Sequence, residues 1–289
     1  MPALFPRLRP RVAAWLACLF ITATLSACAG PPRLPAGQLS AVLPADLLLI
    51  GEQHDVPAHH QLERQVVEIL GVQGRLAALA LEMVEQGRST EGLPRQANAS
   101  QVKAKLGWND AAWPWADYEG PIMAAVEFGV PVIGVNLPRD RQRAAMKDIS
   151  LDLRLTPAAL ERQRQAIRSG HCDLLAEAQV APMTRIQIAR DLAMAQALLK
   201  IDRPQDRTVV LLAGAGHVLR SMGIPVHLPE SPPSTLRVKV LIATTNGSAL
   251  LQELSSGERP AEADQIWVSP PGPERDHCAE LRQTMLPPS

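Results

Sequence analysis

The stretch Asp46-Leu-Leu-Leu-Ile-Gly-Glu-Gln-His54 decides the architecture. An apolar run that stops abruptly at Gly-Glu-Gln-His reads as a buried strand delivering polar groups at its carboxyl end, because a strand covered on both faces is apolar throughout. A second run of the same design, Thr208-Val-Val-Leu-Leu-Ala-Gly-Ala-Gly-His217, lies far downstream. The chain thus repeats a strand-then-Gly-x-x-His unit, at Gly51 to His54 and at Gly214 to His217. One such His is most simply a local cap. The repetition predicts a site shared between strand ends, since open parallel sheets bind ligands in the crevice outside the carboxyl ends of their strands.

Outward from these units the same pattern recurs. His59 to Gly71 reads as a helix with Leu62, Val66, Ile69 and Leu70 on one side; His59 and Glu63 have the spacing of a helical metal pair, which is more often a solvated pair. Leu76 to Leu81 is a second strand, and it places the Glu82 carboxylate at the same sheet edge as His54. Residues 85 to 107 are polar, consistent with a helix. Val130 to Val135 is a third strand, ending in Asn136-Leu-Pro-Arg139. Residues 140 to 202 break the alternation and read as a helical insert, or lid. There Gln187, Arg190, Asp191 and Met194 share one face by spacing, the pattern of a solvated stripe. Strands follow at Thr208 to Leu212, Leu236 to Thr244 and Ile266 to Val268, with an irregular Pro-rich end. The expected fold is therefore α/β, a mostly parallel sheet flanked by helices with a helical insert subdomain, over residues 41 to 275 and with a tail at 276 to 289.

Aromatic residues are 3% of the chain, yet Trp108-Asn-Asp-Ala-Ala-Trp113-Pro-Trp115-Ala-Asp-Tyr118 concentrates them and holds the only tyrosine. The segment is either a plug over the core or a wall for a flat aromatic ligand. Pro121 and Gly129 bracket a helix whose amino terminus would carry Tyr118.

The first 27 residues have the form of a secretory leader, with Arg7, Arg9 and Arg11 before the apolar run Val12 to Leu25. Leu25-Ser-Ala-Cys28 resembles a bacterial lipobox, predicting lipidation of Cys28 and a flexible tether over residues 28 to 40. Two or more acyl chains, at about 0.8 kcal/mol per buried CH₂, make a durable anchor. Ala29 stands where Asp would signal inner-membrane retention, so the expected location is the periplasmic side of the outer membrane. Without the leader the 29 basic residues fall by three to 26, against 29 acidic, a net charge of −3 that argues against a nucleic-acid partner. Once Cys28 is acylated, Cys172 and Cys278 remain as an even pair in an oxidising compartment, which predicts a disulfide between them.

Taken together, the Gly-Glu-Gln-His54 and Gly-Ala-Gly-His217 units, Leu-Glu-Met83, Trp-Pro-Trp-Ala-Asp-Tyr118, Asn-Leu-Pro-Arg139 and Arg190-Asp-x-x-Met-Ala195 resemble the ChaN family of haem-binding lipoproteins. That family lies within the wider Tiki and erythromycin-esterase-like group, and the resemblance spans about Ala41 to Pro229. It implies haem uptake as a homodimer, with ferric haem ligated by Tyr118 and covered by Trp113 and Trp115; Arg139 or Arg88 would meet the propionates. In the enzymatic relatives it implies hydrolysis by the equivalents of Glu52, His54, Glu82 and His217, supported by Arg190 and Asp191. Imidazoles and carboxylates also suit a divalent metal, with His54, His217 and Glu82 as ligands. No His-Glu-x-x-His segment, phosphate-binding Gly loop or Gly-x-Ser-x-Gly elbow is present.

Overall fold

A strand buried on both faces must find a helix for each, and this chain supplies them in alternation with the strands. The computed structural model describes residues 36–229, 236–256, 261–272 and 276–285; the leader and Cys28 lie outside them. In chain order the elements are α1 (Ala36–Ala41), β1 (Leu47–Glu52), α2 (Pro57–Val72), β2 (Leu76–Glu85), α3 (Ala99–Leu106), α4 (Trp115–Glu127) and β3 (Val132–Asn136). Then come α5 (Arg139–Ala145), a 3₁₀ turn at Ile149–Arg154, α6 (Pro157–Gly170), α7 (Glu177–Lys200), β4 (Thr208–Gly214) and α8 (Ala215–Val218). A second 3₁₀ turn (Ile224–His227), β5 (Val238–Thr245), α9 (Ala249–Ser255), β6 (Gln265–Ser269) and α10 (His277–Met285) complete the described chain.

The six strands form one parallel sheet in the order β3-β2-β4-β1-β5-β6. Strands β1 and β4, which carry the two Gly-x-x-His units, are therefore direct neighbours, in a register that sets Glu52 opposite Gly214. Alternate residues face opposite helical layers, as strand geometry requires. Leu48, Ile50, Leu79, Leu81, Val210 and Leu212 pack with Leu62, Val66 and Leu70 of α2 and with Tyr118 and Ile122 of α4. Leu47, Leu49, Val209 and Leu211 meet Ile188, Met194, Ala195 and Leu198 of α7 on the other side.

Several local expectations are revised. The helical stretch after β3 is present, and α7 packs on the sheet as the crossover to β4, which is why Asp191 and Met194 are wholly buried instead of forming a solvated stripe. His59 and Glu63 are also wholly buried. Within 85 to 107, only the last third is α-helix. Helix α4 begins at Trp115, with Pro121 inside it, so Tyr118 lies in its first turn instead of just before it. Pro121 is the seventh residue of α4, so the N–H it lacks costs the helix one intrahelical hydrogen bond, to the Asp117 carbonyl. The end of the expected tether is helical at α1, and the chain after Pro270 includes α10 where an irregular tail was expected. The predicted bond between Cys172 and Cys278 is formed.

Candidate functional site

Strand ends β1, β2 and β4 bring Glu52, His54, Glu82 and His217 to one edge of the sheet, and α7 adds Gln187, Arg190 and Asp191 from above. Glycine makes this convergence sterically feasible: a Cβ on Gly214 would lie 2.8 Å from His54 Nε2, and one on Gly51 would lie 2.3 Å from the Val218 side chain. Each Gly thus leaves room for the His-bearing turn of the other unit: Gly214 for His54, and Gly51 for the turn that carries His217.

The cluster has two halves joined through His54. In the first, Glu82 accepts hydrogen bonds from the Gly214 N–H at 2.7 Å and from Arg190, and lies 3.3 Å from His217 Nε2. His217 Nδ1 bonds Asp191, and Asn136 orients the assembly by accepting from Arg190 Nε at 3.0 Å while donating to the Glu82 carbonyl at 2.7 Å. Burial alone would raise the Glu82 pKa, but His217, Arg190 and His54 hold it well below the carboxylate range. Burial alone would lower that of His217, but Glu82 and Asp191 push it up to about 9. At neutral pH the pair is therefore a buried ion pair.

In the second half, Tyr118 donates to Glu52 Oε1 at 2.8 Å, and the same oxygen lies 2.8 Å from His54 Nδ1. His54 Nδ1 is also 3.1 Å from the Tyr118 hydroxyl. His60 Nε2 stands 3.1 Å from Glu52 Oε2, out of line for a good hydrogen bond. Glu63 lies next to Glu52, wholly buried, and neither of its oxygens meets a donor. Two adjacent buried carboxyls ionise one at a time: burial and the Glu52 charge keep Glu63 protonated, while His54 and His60 hold Glu52 ionised against its own burial. For His54, burial is outweighed by the Glu52 hydrogen bond and the Glu82 charge, so its pKa is raised. The Tyr118 phenol is shifted far upward by burial and by the Glu52 charge.

Two cavities adjoin this network and share Ala112 and Trp113 as a wall. One, of about 880 Å³, is lined by His54, His60, Trp113, Tyr118, Asp117 and His277 among others. The other, of about 620 Å³, carries Arg88, Arg139 and Arg190. Arg190 is engaged by Glu82, whereas Arg88 and Arg139 have no salt bridge among the described residues.

All six residues expected to act together, Glu52, His54, Glu82, His217, Arg190 and Asp191, do meet. Trp113 packs edge-on to His54 at 4.8 Å between centroids and lines both cavities, while Trp115 turns away to pack on Trp108 at 5.2 Å and lines neither. Among the described residues no three His, Cys, Asp or Glu side chains are disposed to hold a metal ion. In the candidate set His54, His217 and Glu82, the Glu82 carboxylate is shared between Arg190, the Gly214 N–H and His217. The sequence pattern does not mark His60 and Glu63 as site residues, yet both stand beside Glu52. Their signal was the position of Glu63 one turn past His59-His60 on the helix that follows β1, but helical spacing alone does not reveal that this face meets Glu52.

The family model described as haem-binding uptake, Tiki superfamily, ChaN, matches residues 39–228. Among solved structures, that of cofacial heme binding to ChaN of Campylobacter jejuni is similar at a TM-score of 0.60 and 22% identity, over 77% of this chain and 86% of that one. An erythromycin esterase, EreC, in its open conformation gives 0.42 at 14% identity, over 76% of each chain. The type III effector HopBA1 gives 0.40 at 16%, over 78% of this chain and 88% of that one. No curated protein matches the sequence.

Proposed function

Because the chain belongs to the ChaN family of the Tiki superfamily, described as haem-binding uptake proteins, we propose that it takes haem into the cavity where Tyr118, His54 and Trp113 meet, as a lipoprotein anchored in the outer membrane through Cys28. The observation that carries this reading is the pairing of the two cavities. One offers a phenol and imidazoles, which are donors for ferric iron, and across the Trp113 wall the other offers Arg88 and Arg139, which suit propionates. An indole between them suits the face of a porphyrin.

Tyr118 is the iron ligand in this reading. In the free chain it is a protonated phenol, 1% exposed, whose hydroxyl is bonded to Glu52. Ligation replaces that proton with the iron cation, and Glu52 and His54 are the groups already in contact with it. Cofacial heme binding is what is described for the Campylobacter protein; carried over here, it would have two copies each present a haem held by Tyr118.

Hydrolysis is the weaker reading. His217 is protonated at neutral pH and buried between Glu82 and Asp191, the wrong state for taking a proton from water. Only His54 is reachable, its side chain 35% exposed.

The test is a titration of haemin into the soluble chain beginning at Ala29, followed by absorbance and sedimentation. Saturable binding with a high-spin ferric spectrum that Tyr118→Phe abolishes supports the assignment. An unchanged spectrum in the variant overturns Tyr118 and points to His54. Labelled palmitate incorporated by the wild-type precursor, and lost in Cys28→Ala, tests the anchor.

A further inference from the structure

Helix α10 lies beyond the family-matched segment, which ends at residue 228. It nevertheless helps form the cavity that holds Tyr118: His277 and Glu280 line it together with His54, His60 and Trp113. Two features bring it there. The chain after β6 runs against the loop that follows His54, where a Cβ on Gly272 would stand 3.3 to 3.6 Å from Val56 and the Asp55 carbonyl. One residue after His277, Cys278 is bonded to Cys172, in the turn between α6 and α7 and 106 residues earlier in the sequence. The α6–α7 region and the cavity wall are thus tied by a covalent bond that the sheet does not require.

We infer that α10 is a stapled wall of the haem cavity, that His277 and Glu280 contact the bound haem, and that the Cys172–Cys278 bond sets how long haem is retained. The physical reason is preorganisation. A nine-residue helix is too short to persist on its own in water, so without the staple its two cavity side chains must be ordered at the moment of binding. Reduction of the bond by a dithiol yields the two thiols and the oxidised dithiol, and frees the wall. Haem release therefore becomes responsive to thiol–disulfide chemistry, and the cavity is closed best in an oxidising compartment.

This inference rests on the haem reading above, and the experiment separates the two. Haemin is loaded onto the soluble chain beginning at Ala29, and its transfer to excess apomyoglobin is timed. Wild type is compared with Cys172→Ala/Cys278→Ala, which avoids introducing thiol ligands for iron, and with His277→Ala/Glu280→Ala, in which the disulfide stays intact. Circular dichroism checks that each variant is folded. The expected result is release about tenfold faster in both variants, with the His277→Ala/Glu280→Ala variant also shifting the Soret band while Tyr118 still ligates. Wild-type rates and spectra in both folded variants, with Tyr118-dependent binding preserved, overturn the inference and leave the haem reading standing. If wild type binds no haemin, both fall.

Discussion

Tyr118 and Glu52 come from elements on different layers, the first turn of α4 and the last residue of β1, and meet at 2.8 Å with the phenol as donor. This contact ties the aromatic segment to the strand-end cluster. It also keeps the phenol protonated, because an ionised oxygen beside the Glu52 carboxylate would repel it.

Glu52→Gln is expected to lower the Tyr118 pKa and tighten haemin binding at pH 7, by up to about tenfold for each pKa unit recovered. The variant is also expected to be less stable by about 2–4 kcal/mol, since His54 loses a buried counter-charge. Affinity measured on folded protein checks this; weaker binding would show that Glu52 is needed as the acceptor of the phenol proton.

The buried Glu82–His217 ion pair makes stability depend on pH. His217 is raised from 6.5 to about 9 in the folded chain, so its contribution is fully present below pH 6.5 and is lost as pH rises through about 9. The shift corresponds to about 3 kcal/mol at most, and Glu82 reports the same interaction from the other side. Urea unfolding of wild type and His217→Gln at pH 6, 7.5 and 9.5 should show the wild-type advantage shrinking with pH; a constant difference would rule out the ion pair.

Glycine substitutions should rank by what the added Cβ meets. Gly51→Ala would drive into the Val218 side chain at 2.3 Å and the Ala215 Cα at 2.9 Å, at a cost of about 2–3 kcal/mol. Gly214→Ala meets His54 Nε2 first, at 2.8 Å, and that partly exposed ring can swing away. The second variant should unfold closer to wild type but lose the hydrogen bonds of His54. Equal destabilisation, measured by denaturant midpoints, would contradict the ranking.

Removal of the disulfide in Cys172→Ala/Cys278→Ala should destabilise the chain by about 4 kcal/mol on the chain-entropy account, given the 106-residue separation. Guanidinium midpoints of the wild type and variant provide the measurement. A difference below about 1 kcal/mol would mean that α10 is held without the bond.

The layered α/β fold was legible because hydrophobic patterning is local: short runs apolar throughout and closed by Gly, such as Leu47 to Ile50 and Val209 to Leu212, read as interior strands of a covered parallel sheet. The Gly-x-x-His units likewise announced a shared strand edge. Tertiary structure alone decided the register that sets Glu52 opposite Gly214, the packing of α7 that buries Asp191, and the approach of α2 that presses His60 and Glu63 against Glu52. A spacing of three or four residues defines a helix face but not what that face meets. His59 and Glu63 therefore read as a solvated pair and became core, and Trp113 and Trp115, two residues apart, parted to the cavities and to Trp108. Where Tyr118 points and what it touches depend on contacts between residues far apart in sequence, and local pattern holds no record of those.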